Sequence, residues 1–320
     1  MDAFIIMLKN VIVFVLLAIP GFLVVKTKML KAEQSGALSK LLMYIAMPFL
    51  MITSTMNNLT LNGDLIATLL IVAAIGVAYT LAVFFASKPL TAKERVEKTR
   101  GMMRFAATFS NNGFLGIPLA MAVFGAGSMV LTVVIVMNII TNLLMYTLGI
   151  YLISGDKKMM SPKKALLNPV LIGFVVGIIL NLLQVKDYVP EVSTYATHLS
   201  NLVTPLSMVI LGMKMAAIKF SSLFTSLKTY YVSFLKLIVM PLVIAGILLA
   251  VKLIFTDGIV TADVVIGVFI AFAMPTAGLS STFADQFDGD TDSAVAFTLG
   301  STVLSIVTIP VLYWIVTLLV

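Results

Sequence analysis

The sequence predicts an all-α polytopic membrane protein: ten transmembrane helices in two inverted five-helix repeats, with broken, crossing fourth and ninth helices. Three observations predict it. Of 320 residues, 60% are hydrophobic and 11% charged, and the mean hydropathy is +1.11. Apolar runs of the roughly 20 residues that a bilayer crossing needs recur along the chain. Two of these runs are interrupted at corresponding places, by Ser110-Asn111-Asn112-Gly113-Phe114-Leu115-Gly116-Ile117-Pro118 and by Ala273-Met274-Pro275-Thr276-Ala277-Gly278-Leu279-Ser280-Ser281.

Taken in order, the spans are expected at 4–25, 37–56, 65–86, 103–123, 129–152, 169–185, 199–217, 230–254, 264–284 and 293–319. The first has Asp2 before it and Lys26, Lys28 and Lys31 after it. A signal peptide needs a basic start and a small-residue cleavage site, so the first span is expected to be retained with its N-terminus outside. The segments 26–40, 87–104, 154–168 and 214–229 hold four, six, four and three Lys and Arg, 17 of the chain's 21. All four fall on one side of the ten-span arrangement. The positive-inside rule makes that side cytoplasmic and puts both termini outside. The net charge of +7 therefore reads as topology and not as a nucleic-acid patch. Lys236 lies about two turns into the eighth span. Snorkelling to the surface is its expected role; the alternative is a charge facing the cavity.

The segment 154–168 divides the chain into halves of five spans, 1–153 and 169–320. Pro48 and Pro205 are 157 residues apart, and so are Pro118 and Pro275. The first pair falls in the second span of each half and the second pair in the fourth. An odd number of spans per half inverts the second half in the membrane. Inverted repeats with interrupted helices are a transporter architecture.

Proline removes a backbone donor and clashes with the preceding turn, and in lipid the freed carbonyls need other partners. Breaks at membrane depth are tolerated where they line a cavity or pack inside protein. Each break starts a half-helix, which presents unpaired N–H groups and about half a positive charge. Two crossed starts make an anion site without any basic side chain. The expected substrate-binding residues are Asn111, Asn112, Gly113, Gly116 and Pro118 on the first break, and Pro275, Thr276 and Ser280 on the second, with Ser281 as a further hydroxyl. Asn138 and Asn142, four apart on one face of the fifth span, either face the crossing or bond another helix. Ser301, Thr302 and Ser305 pose the same choice and lean to packing.

All fourteen Asp and Glu lie at or beyond the expected span ends. Cation antiporters keep carboxylates at membrane depth, so an anionic cargo held by dipoles fits better. A proton relay would need Asp285 or a less usual group. With no Cys, thiol chemistry and zinc–thiolate sites are absent, and one His, His198, excludes a multi-histidine metal site. His198 is expected to be a satisfied interfacial residue rather than a proton switch. Asp288-Gly289-Asp290-Thr291-Asp292 fails as a calcium loop: the glycine is misplaced and Leu299 stands where the bidentate acid belongs. Asp290 or Asp292 capping the tenth span is the expected role. The charge run at 93–100 reads as a solvated connector or a short surface helix. There is no G-x-S-x-G with a buried histidine, no H-E-x-x-H and no paired membrane aspartates, so an enzyme, a cofactor and a metal are not expected.

At these motifs the chain resembles the auxin efflux carrier family, in its bacterial branch labelled malate permease and related to the plant PIN auxin transporters. The resemblance runs through Tyr44-Ile45-Ala46-Met47-Pro48, Asn112 to Pro118, Val203-Thr204-Pro205-Leu206, Met274-Pro275-Thr276 and Ser301 to Pro310. It implies ten spans in two inverted repeats and an elevator-type division between a scaffold and a crossover bundle. It implies a cargo carboxylate beside Asn112 or Asn111, with Pro118 and Pro275 shaping the break, and a homodimer in the cell membrane. The long central loop of the plant relatives is missing, so regulation by loop phosphorylation is not implied. The function expected is secondary transport of small organic anions, malate-like or auxin-like. Alternatives are a sodium-coupled organic-anion symporter of the bile-acid carrier fold type and a non-transporting sensor or channel.

Overall fold

The computed structural model describes residues 2–58, 63–125, 127–216, 226–254 and 260–320. Part of the basic segment 214–229, and Asp257, lie outside them. The described chain is helical, apart from one isolated antiparallel bridge. Among the described residues, seven helical segments are long and apolar enough to cross a membrane: Met7–Lys26, Ala32–Asn57, Leu65–Leu90, Met129–Ser154, Pro190–Ala216, Leu227–Leu253 and Thr291–Leu319. Three shorter apolar helices stand beside them, Asn112–Phe124, Pro169–Leu182 and Ala262–Ala273. The fourth expected span is thus two pieces, and the ninth ends at Ala273 with a separate short helix after it. The seventh begins at Pro190, nine residues earlier than the hydropathy suggests, because Pro190 takes the first helical position, where its missing N–H costs nothing.

In chain order the helices used below are α1 (Asp2–Lys26), α2 (Ser35–Leu41), α3 (Met47–Asn58), α4 (Gly63–Leu90), α5 (Glu97–Thr108) and α6 (Ile117–Phe124). They continue as α7 (Met129–Leu144), α8 (Ile150–Ser154), α9 (Pro162–Leu166), α10 (Pro169–Leu182), α11 (Val185–Tyr188) and α12 (Pro190–Ser200). The last are α13 (Val203–Ala216), α14 (Leu227–Phe234), α15 (Met240–Ile254), α16 (Ala262–Ala273), α17 (Ser280–Gln286) and α18 (Thr291–Leu319).

Three helices widen by one residue just before a proline. The wide turns are Leu42–Ala46, Asn112–Gly116 and Leu235–Val239, followed by Pro48, Pro118 and Pro241. In each, the residue before the proline donates five residues back: Met47 to Leu42, Ile117 to Asn112, Met240 to Leu235. Proline has no N–H and its ring crowds the carbonyl four residues earlier. A wide turn relieves that crowding while leaving the chain helical.

Packing is reciprocal between the first and second parts of the chain. α1 lies along α13, and α10 lies along α3. Both contacts are backbone-close because small residues sit in them. A methyl group on Gly212 would meet the Ala18 carbonyl oxygen at 1.9 Å, and one on Gly177 would meet Thr55 Oγ1 at 1.8 Å. The main core joins α4, α7, α15 and α16, where the Tyr79 hydroxyl donates to the Met240 carbonyl at 2.5 Å. A second core gathers Phe84, Phe105, Phe109, Phe283 and Phe297 around α5 and α17. Outward-facing Leu70, Leu227 and Leu253 are largely exposed, the pattern of a surface whose solvent is lipid.

Candidate functional site

α5 stops at Thr108 because the chain turns extended at Phe109. α16 stops at Ala273 because Met274, which precedes a proline, is also extended. The two extended pieces pair as one antiparallel bridge, Ser110 opposite Thr276. Asn111 N–H donates to the Pro275 carbonyl at 2.8 Å, and Ala277 N–H donates to the Phe109 carbonyl at 3.0 Å. The two interruptions singled out in the sequence therefore meet and satisfy each other's backbone.

Past the bridge the first chain re-enters a helix. The Asn111 side chain accepts from Phe114 N–H at 3.3 Å and so caps the new start. Asn112, almost fully buried, donates from Nδ2 to Thr141 Oγ1 at 3.1 Å. Its Oδ1 is buried without a protein partner. Gly113 and Gly116 sit close to neighbours: a methyl group would lie 3.3 Å from Asn138 Oδ1 at the first and 3.1 Å from Met274 Cγ at the second. On α7, Asn142 donates to the carbonyl and to Oδ1 of Asn138, at 2.8 and 3.1 Å. Asn138 Nδ2 is left buried with no partner.

Ser110, Asn111, Gly113, Asn138, Thr141 and Asn142 line one pocket of about 50 Å³, with Ala277 and Gly278 from the second interruption also in its wall. It adjoins a cleft of about 680 Å³ that shares Asn111, Phe114 and Gly278 with it and reaches Tyr44, Lys40 and Lys214. Lys214 Nζ donates to the Gly278 carbonyl at 3.2 Å, which ties α13 to the second interruption.

The remaining expected residues are spent on the fold. Pro118 is buried behind the wide turn, and Pro275 contributes its carbonyl to the bridge. Thr276 N–H donates to Ser301 Oγ at 3.1 Å, and its hydroxyl donates to the Ala106 carbonyl at 3.2 Å. Ser280 shares a hydrogen bond with Thr298. Ser301, Thr302 and Ser305 all donate to carbonyls of their own helix, as packing predicts. α17 has only seven residues, so the positive helix start of the site belongs to Asn112–Phe124. Ser110 and Thr141 line the pocket and escaped sequence reasoning, since single hydroxyl residues in apolar runs carry no periodic signal.

Lys236 corrects another expectation. It does not snorkel: it is 0% exposed, and Nζ donates to Ser110 Oγ at 2.5 Å. Its place in the wide turn Leu235–Val239 points it inward toward the bridge rather than along the helix to the surface.

The sequence matches the family described as membrane transport protein over residues 5–162 and 157–313. It is also 29% identical over 306 residues, 94% of each chain, to an uncharacterised transporter of Methanothermobacter thermautotrophicus.

Proposed function

We propose a function from one premise, that the chain belongs to the membrane transport protein family, which is that of the auxin efflux carriers. It is a secondary carrier of small organic anions, working by alternating access at the crossing of its two interrupted helices. The observation that carries this reading is Asn138 Nδ2, a buried donor without a protein partner beside a half-helix start. A carboxylate supplies the missing acceptor, and the dipole of the half-helix favours its charge. Asn112 lies outside the pocket lining and acts on it through Thr141, which it bonds and which stands in the wall. Ser110, Asn111, Thr141 and Asn142 share the wall with Asn138, so a malate-like hydroxy acid, with a polar group beside its carboxylate, fits better than a plain fatty acid. Leaving a buried donor such as Asn138 Nδ2 unmatched costs about 1–3 kcal/mol, which favours a polar occupant.

The carrier crosses the cell membrane ten times in two inverted halves, 1–153 and 169–320, joined by 154–168, and works as a homodimer. The reciprocal packing of α1 on α13 and α10 on α3 supports two related halves, as do the two family segments that meet near residue 160. The basic segments put both termini outside. Lys40 and Lys214 belong to those segments and line the 680 Å³ cleft, which supports an inward-open shape.

Counterflow tests the reading. Proteoliposomes loaded with unlabelled malate should accumulate labelled malate, and succinate, which lacks the hydroxyl, should compete less well than malate. No accumulation of any small carboxylate by folded protein contradicts it.

A further inference from the structure

Among the described residues, Lys236 is the one Lys, Arg, Asp or Glu that is buried, and it is fully so. Its Nζ lies 2.5 Å from Ser110 Oγ. Ser110 stands in the wall of the 50 Å³ pocket with Asn111, Asn138 and Asn142, and Lys236 lies outside that wall. The Ser110 hydroxyl is therefore the link between the amine and the pocket. The turn that carries Lys236 joins α14 to α15 and packs on α5, α16 and α18. The acids of these elements are away from it: Glu97 is exposed beside Arg100, and Asp263 and Asp292 are exposed at their helix starts. Their cations have other partners. Lys98 pairs with Asp288 and Lys228 with Glu94, Arg104 turns to Ser87 and the Phe84 carbonyl, and Lys252 donates to the Val320 carbonyl. Of their tyrosines, Tyr230 is partly exposed, Tyr231 donates to the Leu90 carbonyl and Tyr313 packs edge-on against Phe124. Asp285, the acid that a proton relay would have used, is exposed on α17.

An ammonium taken out of water with no counter-charge is costly, so a lysine in such a place rests as the neutral amine. A neutral amine offers Ser110 a lone pair as well as N–H groups, and the Ser110 hydrogen can turn to it. An ammonium only donates. It commits the Ser110 oxygen to accepting and turns the Ser110 hydrogen toward the pocket, where an anion can take it. A carboxylate oxygen bonded to Ser110 Oγ lies within about 5.5 Å of Nζ, the sum of two hydrogen bonds. That is close enough for its charge to favour the ammonium. The cargo is thus the acidic partner that Lys236 lacks, and proton and anion strengthen each other's binding.

We propose that the carrier takes up its anionic cargo together with one proton, held on Lys236. The proton comes from the water of the cleft. Ser110 Oγ receives it and passes its own hydrogen to Nζ, so that one N–H bond forms and the hydroxyl is restored facing the cargo. When the cargo leaves, the steps reverse and the proton leaves with it. This coupling rests on the carrier reading above and adds to it.

Proton uptake on binding tests the coupling. Malate is added to purified protein in weak buffer with a pH indicator, from about pH 6.5 to 8.5, above the carboxylate range. Wild type should take up close to one proton per malate bound at the alkaline end, where its affinity should fall up to about tenfold per pH unit. Lys236→Met, close in length and always neutral, should bind malate more weakly, take up no proton and keep one affinity across the range. Ser110→Ala removes the link and should lose the uptake as well, which decides the matter if Lys236→Met cannot be obtained folded. Malate binding by wild type without proton uptake overturns the proposal. So does uptake that survives in folded Lys236→Met or in Ser110→Ala. A folded wild type that binds no small carboxylate at all contradicts the carrier reading itself, and the coupling falls with it.

Discussion

Asn138 and Asn142 show how a single amide is made ready for a ligand. Asn142 occupies the oxygen of Asn138 and leaves its nitrogen unmatched. A group held for a ligand at the expense of the empty protein has a signature: its removal does not harm the fold. Asn138→Val should melt no lower than wild type, while malate affinity falls about tenfold, the equivalent of about 1.4 kcal/mol. Equilibrium binding and thermal unfolding on the same preparation check both halves. Gly113→Ala places a methyl group 3.3 Å from Asn138 Oδ1 and 3.1 Å from Met47 Cε, and it should raise the KM for malate several-fold with little change in melting. At this scale the sequence was partly readable. Two amides four apart on a helix mark a face whatever that face meets. Thr276 and Ser280 looked equally available, but the partners of their hydroxyls, the Ala106 carbonyl and Thr298, come from other helices, and no local pattern carries that pairing. Lys236 misled because hydropathy reports depth along a helix and not the direction a side chain takes.

The helices are held by contacts too close for side chains. Gly173 and Gly177 on α10 face Pro48 and Thr55, and Gly212 on α13 faces α1. Overpacking such seams costs typically about 1–3 kcal/mol and often more where the obstacle is backbone. Gly177→Leu and Gly212→Leu should therefore lose monodisperse protein on size exclusion. Gly246, with nothing within 4 Å, is the control: Gly246→Ala should be neutral or stabilising by up to about 1 kcal/mol from helix propensity. Element positions followed from hydropathy and proline. The wide turns did not, because a hydrogen bond reaching five residues back leaves no mark in the apolar pattern. The division of the fourth run into α5 and a second helix was visible as Asn, Gly and Pro in one stretch.

Across the whole molecule, an ionic layer ties the starts of α5, α14 and α18 together. Lys228 bonds Glu94 at 2.5 Å, Lys98 bonds Asp288 at 2.7 Å, and Thr99 donates to Asp290 at 2.6 Å. The hydrogen bond from Lys228 holds the Glu94 carboxyl below its ordinary range. Burial pushes Asp290 up, and the bonds from Thr99 and Ser293 outweigh it, so its net shift is also downward. A lowered carboxylate stabilises the fold above its unfolded value, and that stabilisation is lost as pH falls through the folded one. The melting midpoint should drop as pH falls through the carboxylate range. Glu94→Gln should be less stable than wild type at neutral pH, by under about 1 kcal/mol for a pair near the surface, and indistinguishable from it in acid. The charge run was legible as a solvated connector or short surface helix, and its second half does form the start of α5 at Glu97, but its partners stand more than 100 residues away. The sequence-level fold class survives as a multi-pass helical membrane protein of a transport family, and the two interruptions do meet. The measurement closest to the centre of this account is equilibrium binding of labelled malate to purified wild type and Asn112→Ala. A folded variant that binds about tenfold more weakly is the predicted result. A folded variant with unchanged affinity would contradict the placement of the anion site at the crossing.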